Sequence, residues 1–379
     1  MSKRVAIIGT RGYPSYYGGF ETAVRHVAPA LADAGWDVTV YGRPGQERVD
    51  DPTLDPRITR RTTRGLESRS LSTLTYGLTA VLDAIRRRPD VVLVMNCANG
   101  YWLPLLRLAG IPTVVNVDGI EWERAKWGRL AKAVFKTGAR MTAWTADRLV
   151  FDADAIGAYW RRVFGRDGVV IPYGGTEAPA LSLHPEDAHL AETPFALVVA
   201  RFVPENTVPE FLVAAERIAQ HRPVVIVGST GYGGELDEHA RLLADVHPNV
   251  HWLGHVADDE RLFALWQHAG AYFHGHSVGG TNPALVQAMH LAAPTVARDT
   301  VYNREVLART DAVFVEPDPD AIADAVLGLL DDPAEQERLG CAVRERALDR
   351  YDWRDVCEAY ERVLADQVVD AQHGAYAVS

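Results

Sequence analysis

Apolar residues in this chain gather in short unbroken runs, separated by longer stretches where they recur every three or four positions. The first run, RVAII at 4–8, leads into a glycine- and tyrosine-rich loop, GTRGYPSYYGG at 9–19. A helical period follows over 20–34, Gly35 stops it, and DVTVY at 37–41 is the next run. Unbroken apolar runs suit parallel strands buried on both faces, and the intervening periodic stretches suit the crossover helices that such strands need. After an irregular stretch with a short strand over 44–70, the pattern gives a helix at 71–86 and strands at 91–95, 112–117, 148–151 and 168–171. A region rich in Pro, Ala, His and acids, 173–193, reads as an interdomain linker. A second series then places strands at 195–200, 224–227, 250–253, 271–273, 295–297 and 312–315. Its helices fall around 208–220, 234–246, 259–267, 284–292 and 303–308, with another from 319, and YDWRDVCEAYERVLAD at 351–366 is a long amphipathic helix. Two such series predict an α/β protein of two Rossmann-like domains facing each other across a cleft, residues 1–175 and 176–350, with 351–379 as a closing helix and tail.

Composition narrows the function. A length of 379 residues supports two full cores, and a net charge of −11 argues against general nucleic-acid binding. Three scattered cysteines, Cys97, Cys341 and Cys357, indicate neither a disulfide framework nor a cysteine zinc site. The N-terminal apolar run is too short for a signal peptide, and no run reaches the length of a membrane span, so a cytoplasmic protein is expected.

The stretch 271–289, AYFHGHSVGGTNPALVQAM, holds the strongest chemical signal. It reads as strand, tight turn and helix start, with Pro283 in the first turn. Gly279 and Gly280 let backbone N–H groups approach a ligand, and the helix dipole favours an anion there. His276, Ser277, Thr281, Asn282 and Gln287 crowd the same place. Arg201, in ARFVPEN after the first strand of the second series, offers a planar fork for phosphate, or could instead pair with Glu205; Asn206 follows. In the first series, Asp118 ends a strand beside Gly119, as a helix cap or as a functional acid. Gly18 and Gly19 precede a helix, but GTRGYP lacks the spacing of a dinucleotide fingerprint. A basic helix over 123–136 carries Arg124, Lys126, Arg129, Lys132 and Lys136 opposite Trp127, Leu130, Val134 and Phe135. It either packs its apolar stripe on the sheet or docks on anionic lipid. His26, His274 and His276 show no metal-ligand spacing.

These motifs resemble one family throughout. GTRGYPSYYGGFET, NVDGIEWERAKWGRLAK, ARFVPEN, HGHSVGGTNPALVQAM with NREVL, and the closing YDWRDVCEAYERVL are similar to retaining GT-B glycosyltransferases of family 4, in particular the bacterial branch that uses dTDP-L-rhamnose. The resemblance implies a GT-B fold whose last helix crosses back to the N-terminal domain. It implies an N-terminal acceptor domain and a C-terminal nucleotide-sugar domain. It assigns Asp118 to the acceptor hydroxyl, Arg201 to the leaving diphosphate with Glu205 and Asn206 beside it, and Gly18 and Gly19 to the donor phosphates or the acceptor. His276, Ser277, Gly279, Gly280, Thr281, Asn282 and Gln287 fall on the donor, and Tyr16, Tyr17, Glu121, Trp122, Arg124 and Lys126 on the acceptor or membrane side. No cofactor or metal is implied, since positive side chains and a helix N-terminus stabilise the leaving group, whose phosphate helps remove the acceptor proton.

Two departures stand out. Asn206 occupies the position of the wider family's lysine, and Gln287 that of a glutamate which grips the ribose, while Gly279 replaces the first glutamate of the usual pair. A UDP- or GDP-sugar transferase and a non-catalytic nucleotide-sugar-binding subunit therefore stand beside the leading expectation. That expectation is transfer of L-rhamnose or a related 6-deoxy-L-sugar from dTDP to a saccharide or natural-product hydroxyl, by an enzyme in the cytoplasm or peripheral at the inner membrane face.

Overall fold

A computed structural model describes residues 2–16, 18–46, 51–66, 72–124, 128–231 and 233–376. The chain divides into two compact units: Met1–Tyr173 with Trp353–Ser379, and Gly174–Asp352.

The first unit holds a seven-stranded sheet. Its strands are β1 (Arg4–Ile8), β2 (Asp37–Gly42), β3 (Thr59–Thr62), β4 (Val91–Met95), β5 (Thr113–Asn116), β6 (Arg148–Phe151) and β7 (Val169–Val170). They are ordered β3-β2-β1-β4-β5-β6-β7 and pair parallel throughout. The second unit holds β8 (Ala196–Val199), β9 (Val224–Val227), β10 (Val250–Gly254), β11 (Ala271–His274), β12 (Thr295–Arg298) and β13 (Val313–Val315), ordered β10-β9-β8-β11-β12-β13 and also parallel. Both sheets reverse their winding beside their first strand, between β1 and β4 and between β8 and β11. Ligands of open α/β sheets collect at the carboxyl ends of strands at such reversals.

The central strands are apolar because both faces are covered: all five residues of β4 are buried, as are all four of β9 and of β11. Gly9 at the exit of β1 has φ +92°, and a Cβ there would stand 2.0 Å from the Met95 carbonyl oxygen, so only glycine lets β1 and β4 leave the sheet side by side.

The last helix, Trp353–Tyr376, completes the first core. Trp353, Val356, Tyr360, Val363, Leu364 and Val368 recur at helical spacing and are buried against Val5, Val24, Leu93 and Val114. Asn116 Nδ2 donates to Tyr360 Oη at 2.6 Å, Trp36 Nε1 donates to Glu361 Oε1 at 3.1 Å, and the His26 ring stacks on Trp353 with centroids 4.1 Å apart.

Two expectations are corrected, and two helices are added. Residues 173–193 are not a free linker. Gly174 onward belongs to the second unit, where the turn Pro185–Glu192 is pinned by Arg261 Nε and Nη2 donating to the buried Asp187 at 2.7 Å each. The basic helix does not run over 123–136. A single 3-10 turn, Glu121–Glu123, ends as Arg124 turns extended (ψ 134°), and the α-helix is Arg129–Thr145. Leu130 lies on its outer side, 80% exposed, while Gly138, Ala139, Thr142 and Ala143 face inward. Two further helices are present: Asp154–Phe164, and Pro333–Arg350 with Asp332 accepting from Glu335 N as its cap. Tyr17, Lys126 and Trp127 lie outside the described residues.

Tyr360 ties the last helix to the first sheet. Tyr360→Phe strands the buried Asn116 amide and is expected to cost about 1–2 kcal/mol. Tyr360→Ala, which also opens a cavity, is expected to cost about 3–5 kcal/mol. Urea unfolding followed by tryptophan fluorescence measures both, and equal midpoints for Tyr360→Phe and the unaltered chain would contradict the role given to the hydroxyl.

Candidate functional site

In the second unit the candidate residues converge where β8, β11 and β12 end. After β8 the chain makes a 3-10 turn, Pro204–Asn206, and Thr207 adopts the left-handed region (φ 57°) before the helix Val208–Ile218. This turn touches the exit of β11 closely: a Cβ on Gly275 would lie 2.3 Å from the Asn206 carbonyl oxygen. Thr207, fully buried, donates from Oγ1 to Gly275 O at 2.6 Å and accepts from Arg298 Nη1 at 2.9 Å. Asn206 Nδ2 donates to Arg201 O at 2.8 Å, and its Oδ1 lies 2.7 Å from His276 Nδ1. Ser277 N and Oγ each donate to Glu205 O at 2.8 Å. Asn303 Nδ2 bridges His276 O at 3.0 Å and Arg298 O at 2.8 Å. Short amides and hydroxyls thus fix three strand ends to one another.

This lattice fixes the turn that follows β11. Gly279 sits at φ 127°, Gly280 and Thr281 are buried, and Asn282 caps the helix Pro283–His290 by accepting from Ala284 N at 2.9 Å. Pro283 brings no N–H and Ala284 N is taken by the Asn282 cap, so what suits the carboxyl end of β11 to an anion is the helix dipole together with the backbone of the glycine turn. Arg201 is exposed two residues beyond β8, and among the described residues it pairs with no carboxylate. The Arg201–Glu205 pairing does not form: the Glu205 side chain is buried, and its backbone carbonyl is what clamps Ser277.

Gln287 engages the chain, with Thr176 N donating to its Oε1 at 3.0 Å and its Nε2 donating to Thr176 O at 2.7 Å. A carboxylate could accept the first bond but could not make the second. Glutamine at this position therefore suits a clasp on the Gly174–Thr176 backbone.

In the first unit, β4 and β5 both end in left-handed polar residues, Asn96 (φ 81°) and Asp118 (φ 62°). Asn116 Oδ1 accepts from Asp118 N at 3.0 Å, holding the partly exposed carboxylate at the mouth of the sheet. Burial, and secondarily the Asp118 charge, push the Cys97 thiol and the Tyr173 phenol well above their usual pKa values. Gly18 caps the helix Gly19–Asp33 through backbone alone. Glu21, in its first turn, is buried and accepts from Arg11 N at 2.9 Å; burial raises its pKa. Tyr16 lies under the Arg25 guanidinium, 3.8 Å from the ring centroid.

The proposed acceptor-side residues are less available than the sequence suggests. Glu121 is buried and paired with Arg124 Nε at 2.7 Å. Trp122 is buried, donating from Nε1 to Tyr159 Oη at 3.0 Å and meeting Phe164 edge-on. Sequence reasoning missed Glu21, Asn116, Thr207, Arg298 and Asn303. Glu21, Asn116 and Asn303 stand inside the quoted motifs, whereas nothing in a linear pattern marks Arg298 or a left-handed threonine. Among the described residues no group of His, Cys, Asp and Glu is arranged to hold a metal ion, and no helix is long and apolar enough to cross a membrane.

Comparison with known proteins places both units. Residues 18–174 match the family described as "Glycosyl transferase 4-like domain", and residues 183–346 match "Glycosyl transferases group 1". A GDP-mannose-dependent monoacylated alpha-(1-6)-phosphatidylinositol monomannoside mannosyltransferase of Corynebacterium glutamicum is 25% identical over 185 residues, 46% of this chain and 48% of the relative. The match thus spans about half of that relative's length. Among solved structures, sucrose-phosphate synthase from Thermosynechococcus elongatus superposes with a TM-score of 0.78 at 20% identity, covering 100% of both chains. HepE of Anabaena in complex with UDP-glucose superposes at 0.74 and 14% identity, covering 97% of this chain and 100% of that one. The fold is that of these GT-B proteins, two parallel-sheet Rossmann-like domains.

His274 provides a test of this lattice. It is buried at the end of β11, its Nδ1 is 3.0 Å from Tyr272 Oη, its Nε2 has no hydrogen-bond partner among the described residues, and burial pulls its pKa down to about 3. The unfolded chain takes up a proton near pH 6.5 while the folded one does not. Its contribution is therefore whole above about pH 6.5 and is lost as pH falls towards 3. The slope approaches about 1.4 kcal/mol per pH unit between the two pKa values. His26, drawn down to about 4 by burial, acts in the same direction. The urea midpoint of His274→Gln should fall less steeply between pH 6.5 and 4 than that of the unaltered protein; parallel profiles would refute the assignment.

Proposed function

We propose that this chain, a glycosyltransferase built from a glycosyl transferase 4-like domain and a glycosyl transferases group 1 domain, moves L-rhamnose or a related 6-deoxy-L-sugar from a dTDP-sugar to a hydroxyl of a saccharide or natural-product acceptor. The observation that carries transfer from a nucleotide sugar is the unpaired Arg201 at the end of β8, beside the glycine turn and capped helix that follow β11. A leaving diphosphate needs positive charge and N–H donors at its oxygens, and these elements supply both without a metal ion. Departure of the diphosphate weakens the anomeric bond. In a front-face course its phosphate oxygen receives the acceptor proton while the hydroxyl oxygen bonds to the anomeric carbon, with retention of configuration. Asp118, held by Asn116, is the acid proposed to orient the acceptor hydroxyl. The long motifs GTRGYPSYYGGFET and HGHSVGGTNPALVQAM support the dTDP-L-rhamnose choice.

A second reading, a UDP- or GDP-sugar donor, is favoured by the relatives, a GDP-mannose-dependent mannosyltransferase and a protein in complex with UDP-glucose. Thermal-shift measurement with dTDP, UDP, GDP and ADP, each with magnesium or with EDTA, separates the two. Stabilisation by dTDP that survives EDTA and is lost in Arg201→Ala is expected. A preference for UDP or GDP would overturn the rhamnose assignment. No shift with any nucleotide would favour a non-catalytic subunit. Asp118→Asn should keep nucleotide binding and lower transfer about 100-fold.

The acceptor is proposed to be lipid-linked and the enzyme peripheral at the inner membrane face. The helix Arg129–Thr145 supports this. It has four cations, Arg129, Lys132, Lys136 and Arg140, and no acid, in a chain of net charge −11. Its outer side presents Leu130 and Trp144, 80% and 76% exposed and about four turns apart. Sedimentation with phosphatidylglycerol vesicles should be reduced severalfold by Trp144→Ala and by joint Arg129→Gln, Lys132→Gln and Lys136→Gln. Absence of sedimentation by the unaltered protein would sink the lipid-linked form.

A further inference from the structure

The position where the wider family carries a lysine is Asn206, whose amide is spent on Arg201 O and the His276 ring, so it brings no charge to the site. The structure holds another cation within reach of the same turn. Arg298 is the last residue of β12, partly exposed, and its Nη1 donates to Thr207 Oγ1 at 2.9 Å, immediately after Asn206. Among the described residues no carboxylate pairs with it. Most arginines of this unit that reach a partner reach a carboxylate: Arg304 to Asp299, Arg261 to Asp187, Arg241 to Glu238 and Asp245, Arg338 to Glu335. Arg298 keeps its charge uncompensated at the carboxyl edge of the sheet, next to the site described above.

Strand order makes the placement specific. β8, β11 and β12 are adjacent in the sheet. Arg201 leaves β8, the glycine turn leaves β11, and Arg298 ends β12, so the two unpaired arginines stand on either side of the helix N-terminus. Thr207 and Asn303 fix Arg298 from both ends: Thr207 holds the guanidinium through Oγ1, and Asn303 holds the backbone by donating to Arg298 O at 2.8 Å. The planar fork has donors left over after the single bond to Thr207.

We propose that Arg298 is a diphosphate-binding residue. It supplies the second positive charge that Asn206 does not, so that the nucleoside diphosphate is bracketed by Arg201 and Arg298 about the start of the helix Pro283–His290. This rests on the nucleotide-sugar reading above and assigns to that site a residue outside the recognised motifs.

Isothermal titration of the full chain with dTDP, UDP and GDP tests it, on the unaltered protein and on Arg298→Gln, Arg298→Lys and Arg201→Gln, at low and moderate salt. Arg298→Gln should weaken the preferred nucleoside diphosphate about tenfold, as expected for a lost charge-assisted bond to phosphate. Arg298→Lys should recover most of the loss, and the salt dependence should be shallower in Arg298→Gln. Unliganded melting temperature separates binding from propping of Thr207. Affinity within twofold of the unaltered protein in Arg298→Gln, whether or not its melting temperature falls, would overturn this inference and leave the nucleotide-sugar reading standing. Absence of binding by the unaltered protein would overturn both.

Discussion

The second unit depends on how closely two strand exits can approach. The turn after β8 and the first residue after β11 are near enough that a methyl group at Gly275 would strike the Asn206 carbonyl. From that contact the remaining geometry follows. Thr207 is forced into the left-handed region, its hydroxyl satisfies Gly275 O, and the Asn206 amide closes onto Arg201 O and His276. A buried backbone carbonyl without a partner would cost about 1–3 kcal/mol, so these short side chains make the close approach affordable in energy. Rigidity at this edge matters for chemistry, because donors that stabilise a departing diphosphate must be in place before charge develops.

Charge is distributed to the same end. The network around the turn is made of neutral amides, hydroxyls and a carbonyl-bound histidine, and none of its members neutralises Arg201 or Arg298. Elsewhere in this unit arginines are matched to acids on helix surfaces, and the chain as a whole is strongly acidic. An anion approaching the carboxyl edge of this sheet meets Arg201 and Arg298, while the neighbouring Asp299 is paired with Arg304 and the Glu205 side chain is buried. Gln287 fits the same economy of charge. It holds the backbone of Thr176 with a neutral group that both donates and accepts, where a glutamate would leave one carbonyl unmet.

Much of this was legible in the sequence, for stated physical reasons. Parallel strands buried on both faces leave unbroken apolar runs, so nearly every strand lies within a residue or two of its expected place. The glycine turn and Pro283 mark the helix start after β11 because few residues tolerate those backbone conformations. Periodicity was weaker where charge and sidedness had to be decided. The 129–145 helix starts later than the amphipathic pattern suggests: Arg124 is extended and pairs with Glu121 in the preceding 3-10 turn. Leu130 stands on the outer side, and the small residues Gly138, Ala139, Thr142 and Ala143 form the packed side, since they allow the helix to lie close to its neighbours. Arg298 escapes a linear reading because its partner Thr207 is far along the chain and the strand order brings them together; Asn116 begins the NVDG motif, but its partner Tyr360, on the last helix, is equally remote in sequence.

The last helix carries a consequence for how the protein is made. Its residues 353–376 complete a core whose other members lie in the first 173 residues, with the whole second unit between them. On the ribosome, the first sheet emerges early but must wait, with one apolar flank uncovered, until the closing stretch has been synthesised. The second unit, contiguous in sequence, can collapse on its own while that wait continues. Tyr360 then arrives as the acceptor for an Asn116 amide translated more than two hundred residues before it. Until residues 353–376 are made, the nascent chain carries that uncovered apolar flank, and a chaperone would serve it over that interval.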